Sequence, residues 1–308
     1  MKPAPFTYVA PRSLDEALDL LSGADEDTKI LAGGQSLIPL LNMRLASPKR
    51  LVDLGRVKAL AHVTERDGGY AIGAMTRQST LEREPRIAAD LPLLAEAISY
   101  VGHPQIRNRG TIGGSIAHGD PAAELPAVAV CLDAQFTVQG PRGVRTIGAR
   151  DLYLGYLATT LAPDELLTEI WFPKASPNTG YAWLEFARRH GDYAIAGVGV
   201  SVTLQGDRIA ETRIAVTGVG GTPVRASAAE ALLIGARVDD ASHLEPGPLR
   251  TTIEALRAAI DPSADVHATA AYRRHLAGVL AERALRLACQ RAKTPPLHCH
   301  GEGAGVWA

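Results

Sequence analysis

The chain has 308 residues, 46% of them hydrophobic and 21% charged, a balance that excludes extended disorder and gives enough length for more than one core. Its 32 basic and 33 acidic side chains leave a net charge of -1, so there is no electrostatic footprint for nucleic acid or an anionic membrane. No apolar run approaches the roughly 20 residues that span a bilayer, and Met1-Lys2-Pro3-Ala4-Pro5 is not a secretory leader pattern; a cytoplasmic location is expected.

Ser13-Leu14-Asp15-Glu16 is a capping box, and Leu14, Ala17, Leu18 and Leu21 share a helical face, which predicts a short helix ending near Gly23. Residues 29–32 read as a buried strand that delivers the segment Ala32-Gly33-Gly34-Gln35-Ser36, and residues 50–54 read as another strand. Around Arg66-Asp67-Gly68-Gly69 the flanking residues 62–65 and 70–73 form a hairpin signal, Asp-Gly supplying the positive φ angles of a tight turn. Residues 93–101 have helical spacing, and residues 103–109 lead into Thr111-Ile112-Gly113-Gly114-Ser115. Residues 121–132 read as a helix with Asp120 as N-cap and Pro121 at its first position. A second hairpin is expected over residues 136–147 and a strand over residues 166–172, stopped by Pro173.

Residues 173–180, with Pro177, Asn178 and Thr179, are the best linker in the chain. Beyond them Val198, Val200, Val202 and Leu204 alternate and residues 209–216 return, an antiparallel pair followed by helices over residues 226–234, 249–260 and 269–291. The class is α+β. The domains are 1–176, with lobes of about 1–58 and 59–176, then 177–291, then a flexible tail over 292–308.

The two glycine-pair segments carry the chemistry. Glycine reaches positive φ and lets main chain approach a ligand, and successive amides form a concave nest for phosphate, so a dinucleotide held at its pyrophosphate is the leading hypothesis. Either segment alone also suits an ordinary strand-end turn. Arg107 and Arg109 add positive potential next to the second segment or serve as solvated surface arginines. His118, Asp120 and Glu124 suit an acid-base set or a plain helix start. No Gly-x-Ser-x-Gly or His-Glu-x-x-His occurs, and nothing points to hydrolysis. Cys131, Cys289 and Cys299 have no cluster or zinc spacing, so the chain alone cannot carry an iron-sulfur cluster. His298-Cys299-His300 sits in the Pro/Gly-rich tail and reads as tail, not as a metal site.

Leu31-Ala32-Gly33-Gly34-Gln35-Ser36 with Leu41-Asn42-Met43-Arg44-Leu45, Ile106-Arg107-Asn108-Arg109-Gly110-Thr111-Ile112-Gly113-Gly114-Ser115, Asp120-Pro121-Ala122-Ala123-Glu124-Leu125-Pro126 and Arg188-Arg189-His190-Gly191-Asp192-Tyr193-Ala194 occur in that order. Together they resemble the FAD-binding medium subunit of molybdenum hydroxylases, the carbon monoxide dehydrogenase and xanthine dehydrogenase family. The resemblance implies a two-lobed FAD-binding domain of the PCMH/VAO type (p-cresol methylhydroxylase and vanillyl-alcohol oxidase), followed by a smaller α+β domain of antiparallel sheet plus helices.

For the site it implies FAD contacts from Leu31, Ala32, Gly33, Gly34, Gln35, Ser36 and Leu37 and from Thr111, Ile112, Gly113, Gly114 and Ser115. Asp120 joins them, Glu124 meets the adenosine ribose, Leu167 lines the isoalloxazine and Tyr193 covers a ring face. No catalytic residue and no metal ligand are expected. FAD is expected to be noncovalent, with molybdenum-pterin and 2Fe-2S clusters on a large and a small partner subunit in a dimer of heterotrimers. A stand-alone FAD oxidase or dehydrogenase, or a flavin-free assembly module, are the alternatives. Ser115 stands where many relatives have Asn and Gln35 where some have His, and near Leu184 and Glu185 the chain lacks the Lys of xanthine-type members, so NAD reduction by that route is not implied.

Overall fold

The computed structural model describes residues 2–239 and 243–294; His298, Cys299, His300 and the tail beyond Thr294 lie outside them. The chain opens with a parallel sheet of β1 (Thr7–Val9), β2 (Thr28–Leu31) and β3 (Arg50–Asp53) in the order β1-β3-β2. Helix α1 (Leu14–Leu21) crosses between β1 and β2. Ser13 caps it, accepting from the Glu16 amide at 3.1 Å, while the Glu16 carboxylate accepts from the Arg12 amide at 2.7 Å. Ala17 and Leu21 bury against Val52 and Leu54, which is the packing that the one-faced pattern requires. Helix α2 (Leu37–Asn42) then follows the first glycine segment.

The next hairpin, β4 (Val63–Arg66) and β5 (Gly69–Gly73), turns through Asp67 and Gly68, both at positive φ. Six helices follow: α3 (Gln78–Arg83), α4 (Pro85–Asp90), α5 (Pro92–Ile98), α6 (Pro104–Arg107), α7 (Ile112–His118) and α8 (Glu124–Cys131). After them come β6 (Gln135–Gly140), β7 (Gly143–Gly148), the small hairpin β8 (Tyr153–Gly155) with β9 (Ala158–Thr159), and β10 (Leu166–Pro173). The antiparallel sheet has the order β4-β5-β10-β6-β7. A third sheet, β11 (Thr179–Phe186), β12 (Ala196–Gln205), β13 (Arg208–Thr217) and β14 (Val224–Arg225), is also antiparallel. It packs with α9 (Ser227–Ala231), α10 (Pro246–Ala259) and α11 (Ala270–Lys293). The α+β class expected from the sequence is therefore observed.

All eight residues of α8 are buried, as a helix apolar all round must be. Its core cluster takes in Trp183 of β11 and Ala215 of β13, so α8 is wedged between the second and third sheets with its first residue, Glu124, at the seam.

Three expectations change. Residues 112–118 form a helix capped by Thr111, whose hydroxyl accepts from the Gly114 amide at 3.1 Å; paired glycines are poor helix formers and masked it. The helix expected from Pro121 starts at Glu124, because the Asp120 carboxylate accepts from the Ala122 amide at 2.9 Å and closes a turn instead. Strand β11 had no alternating signature because both of its faces are covered: Trp183 is fully buried on one side of the sheet, and Gly180 lies so close to α11 that a Cβ there would come 2.5 Å from the Ala292 nitrogen. Among the described residues, no helix is long and apolar enough to cross a membrane.

Candidate cofactor site

The first glycine segment is the loop between β2 and α2. Gly34 has φ +76, a conformation that only glycine adopts freely, and it turns the chain so that the amides of Gly33, Gly34, Gln35 and Ser36 are consecutive. None of these four amides donates a hydrogen bond within the described residues. The Gln35 side chain donates to the Gly33 carbonyl at 3.1 Å, which pins the loop. Four adjacent unpaired N–H groups are a nest for a phosphate oxygen.

The second segment lies against it. A Cβ on Gly114 would be 3.3 Å from Ala32 Cβ and 4.0 Å from the Gly33 nitrogen, and a Cβ on Gly33 would come within 2.8 Å of Gly110 Cα. The two segments thus face one cleft and share it. They are not equivalent, however. The Ile112, Gly113 and Ser115 amides already donate to the Thr76, Ala74 and Thr111 carbonyls at 3.1, 2.9 and 3.2 Å, and Gly114 donates to the Thr111 hydroxyl. Both segments were expected to offer bare amides; the first has four in a row, the second only that of Thr111. The second contributes close approach at Gly114 and the positive end of α7.

Tyr193, in the loop between β11 and β12, reaches this cleft from the third sheet. Its phenol meets the Ser36 hydroxyl and feels the charges of Asp120 and Glu124. It is 59% exposed, and desolvation, with the Asp120 charge behind it, pushes its pKa up. Gly191, at φ +89, lets the loop close against Gly102, and His190 stacks on Tyr100 with ring centroids 5.6 Å apart.

Asp120 and Glu124 therefore belong to the Tyr193 end of the cleft. His118 is partly buried and its pKa is lowered by desolvation, partly offset by Asp120, so it is neutral at physiological pH. Leu167 is 4% exposed and packs in the core with Val138, its ladder neighbour, at a bulge in β10. Nothing places it against Tyr193. Leu37 opens α2, and Leu31 ends β2 on the wall of a cavity of about 590 Å³.

That cavity backs the first loop and is lined by Ala32, Ile38, Asp53, Arg56, Arg77 and Arg109 among others. Asp53, Arg56 and Arg77 were not singled out from the sequence, since each stands in a stretch without a motif. Arg109 does reach the site, whereas Arg107 is a buried structural residue, forked onto the Glu82 carboxylate at 2.8 and 2.9 Å and onto the Val101 and Gly102 carbonyls. Cys131 and Cys289 are buried with raised pKa, which keeps both thiols protonated and inert.

A main-chain anion nest, a glycine-lined approach opposite it and an aromatic ring at one end are residues that fit a flavin dinucleotide. Comparison with known proteins agrees. Residues 4–175 match the model of the FAD binding domain in molybdopterin dehydrogenase, and residues 181–288 match the CO dehydrogenase flavoprotein C-terminal domain. The chain is 43% identical to the 6-hydroxypseudooxynicotine dehydrogenase complex subunit alpha of Paenarthrobacter nicotinovorans, over 95% of this chain and 97% of that one. It is 38% identical to the carbon monoxide dehydrogenase medium chain of Hydrogenophaga pseudoflava, over 94% of this chain and 99% of that one. Among solved structures, carbon monoxide dehydrogenase from Hydrogenophaga pseudoflava superposes with a TM-score of 0.90 at 40% identity, covering 94% of this chain and 99% of that one. The chain belongs to the family of FAD-binding medium subunits of molybdenum hydroxylases, and is an oxidoreductase subunit.

Proposed function

We propose that the chain receives electrons from the 2Fe-2S clusters of a small partner subunit, after a large molybdopterin subunit has oxidised the substrate, and passes them through FAD to an external acceptor. The observation that carries the site assignment is the row of four unpaired amides from Gly33 to Ser36 facing Gly114. These amides would hold the pyrophosphate, with Thr111, Ile112, Gly113 and Ser115 fixing the opposite wall. Tyr193 would cover the isoalloxazine, with Asp120 and Glu124 close to it. Asp53, Arg56, Arg77 and Arg109 would take the adenosine half in the 590 Å³ cavity, where the Asp53 carboxylate suits ribose hydroxyls better than buried Glu124 does. Leu167 would support the flavin wall from behind.

The bound flavin supplies the redox chemistry, and this chain's residues bind, orient and shield it. Domains of 1–176 and 177–291, a dimer of heterotrimers and a cytoplasmic setting complete the reading. Substrate choice would lie with the molybdenum subunit.

Metal and flavin analysis of the native protein tests this. FAD, molybdenum and iron that copurify with two further subunits are expected. Flavin without either metal would instead favour a stand-alone oxidase, and metals without flavin an assembly module.

A further inference from the structure

The cavity behind the first glycine loop carries more positive charge than an adenosine can use. Arg56, Arg77 and Arg109 line it with one acid, Asp53, and none of the three arginines forms an ion pair among the described residues. Arg107, close by in sequence, is instead held by Glu82 at 2.8 Å. Asp53 is itself engaged, one carboxylate oxygen accepting from the Tyr8 phenol at 2.5 Å and the other from the Gly55 amide at 2.8 Å. Adenine and ribose have no charge with which to answer the surplus.

Arg77 stands at the edge of the amide nest. Its neighbours are tied to the second glycine segment on both sides, the Thr76 carbonyl accepting from the Ile112 amide at 3.1 Å and the Gln78 amide donating to the Gly110 carbonyl at 3.0 Å. Arg77 itself pairs with Thr111 in an isolated antiparallel bridge. From that fixed backbone its guanidinium donates through Nη1 to the Arg109 carbonyl, the oxygen that a Cβ on Gly33 would strike first. The fork therefore lies beside the first of the four free amides. Its Nε and Nη2 have no partner among the described residues. Desolvation, then the charge of Arg109, pushes the Arg77 pKa down against a smaller pull from Asp53, as a half-buried guanidinium without its anion requires.

Resting on the flavin-binding reading above, we propose that Arg77 meets the diphosphate at the nest, and that with Arg56 and Arg109 it lets a free nucleoside triphosphate occupy the cavity in place of FAD. The amides supply direction and the arginines supply charge. FAD brings about two negative charges on its diphosphate and free ATP about four, so the surplus favours the free nucleotide, while FAD adds the contacts of its flavin half. The ratio of the two ligands then sets how much of the chain is loaded with flavin.

The test is calorimetric titration of the flavin-free full chain with AMP, ADP and ATP, without magnesium and at two salt concentrations, followed by FAD titration in the presence of ATP. ATP is expected to bind about tenfold more tightly than ADP, and ADP more tightly than AMP, with the gaps closing at high salt and ATP displacing FAD. Arg77→Gln should remove most of the gap between ATP and ADP and flatten the salt dependence. Arg77→Lys, which keeps the charge without the fork, should restore part of both. Arg56→Gln, at an exposed residue whose side chain bonds nothing among the described residues, should weaken ATP with the melting temperature unchanged, and it carries the test if Arg77→Gln does not fold. ATP that binds no more tightly than ADP overturns the proposal, as do a ranking and salt dependence that neither Gln variant alters. A chain that shows the ranking but takes up no FAD defeats the flavin reading instead and leaves the nucleotide site standing.

Discussion

The two glycine segments look alike in sequence and meet in space, yet they need glycine for different reasons. In the loop before α2, Gly34 is demanded by its backbone angle and the following amides are left unpaired. In the segment that opens α7, the backbone is ordinary helix and its amides are paired. Gly113 is demanded by packing, because a Cβ would come 2.7 Å from the backbone of Ala74. One segment leaves its amides open to a ligand and the other brings a wall close to it. A repeated motif therefore does not imply a repeated role; the hydrogen-bond partners of its amides decide.

Substitutions should separate the two roles. The largest effect is expected at Ser36, whose amide is free and which precedes α2 as an N-cap without a side-chain cap bond. Ser36→Asp suits an N-cap, so the fold should survive, but the carboxylate would face the pyrophosphate. FAD affinity measured by fluorescence titration should fall by at least ~100-fold with the melting temperature of the flavin-free chain unchanged. A variant that binds FAD normally would remove the first loop from the cradle.

A smaller effect of the opposite kind is expected at Gly113. Gly113→Ala forces a methyl into the Ala74 backbone and should cost about 1–3 kcal/mol in denaturant unfolding of the flavin-free chain. FAD affinity should then drop only as far as the opposite wall shifts. Unchanged stability would show that the wall is looser than its packing indicates.

The sequence was most legible where a residue type has one strong local reason to be present. Ser13 with Glu16, Asp67-Gly68 between its strands and the alternating valines of β12 all formed as their chemistry demands. It was least legible where tertiary context overrides propensity. The glycines of α7 helped conceal a helix, and Trp183 on β11 gave no alternation because the strand is covered on both faces.

The site divides in the same way. The glycine pairs could be read directly, and Tyr193 through the resemblance, because they recur in an ordered set of segments. Asp53, Arg56 and Arg77 of the cavity could not, since each stands in a stretch without a motif and only the fold brings them to one wall.

Competition binding to the flavin-free chain tests the central claim most directly. FAD held by its pyrophosphate predicts that ADP displaces it while FMN, which has the flavin ring but only one phosphate, competes far more weakly. Displacement by FMN with no effect of ADP would contradict a main-chain cradle for the diphosphate.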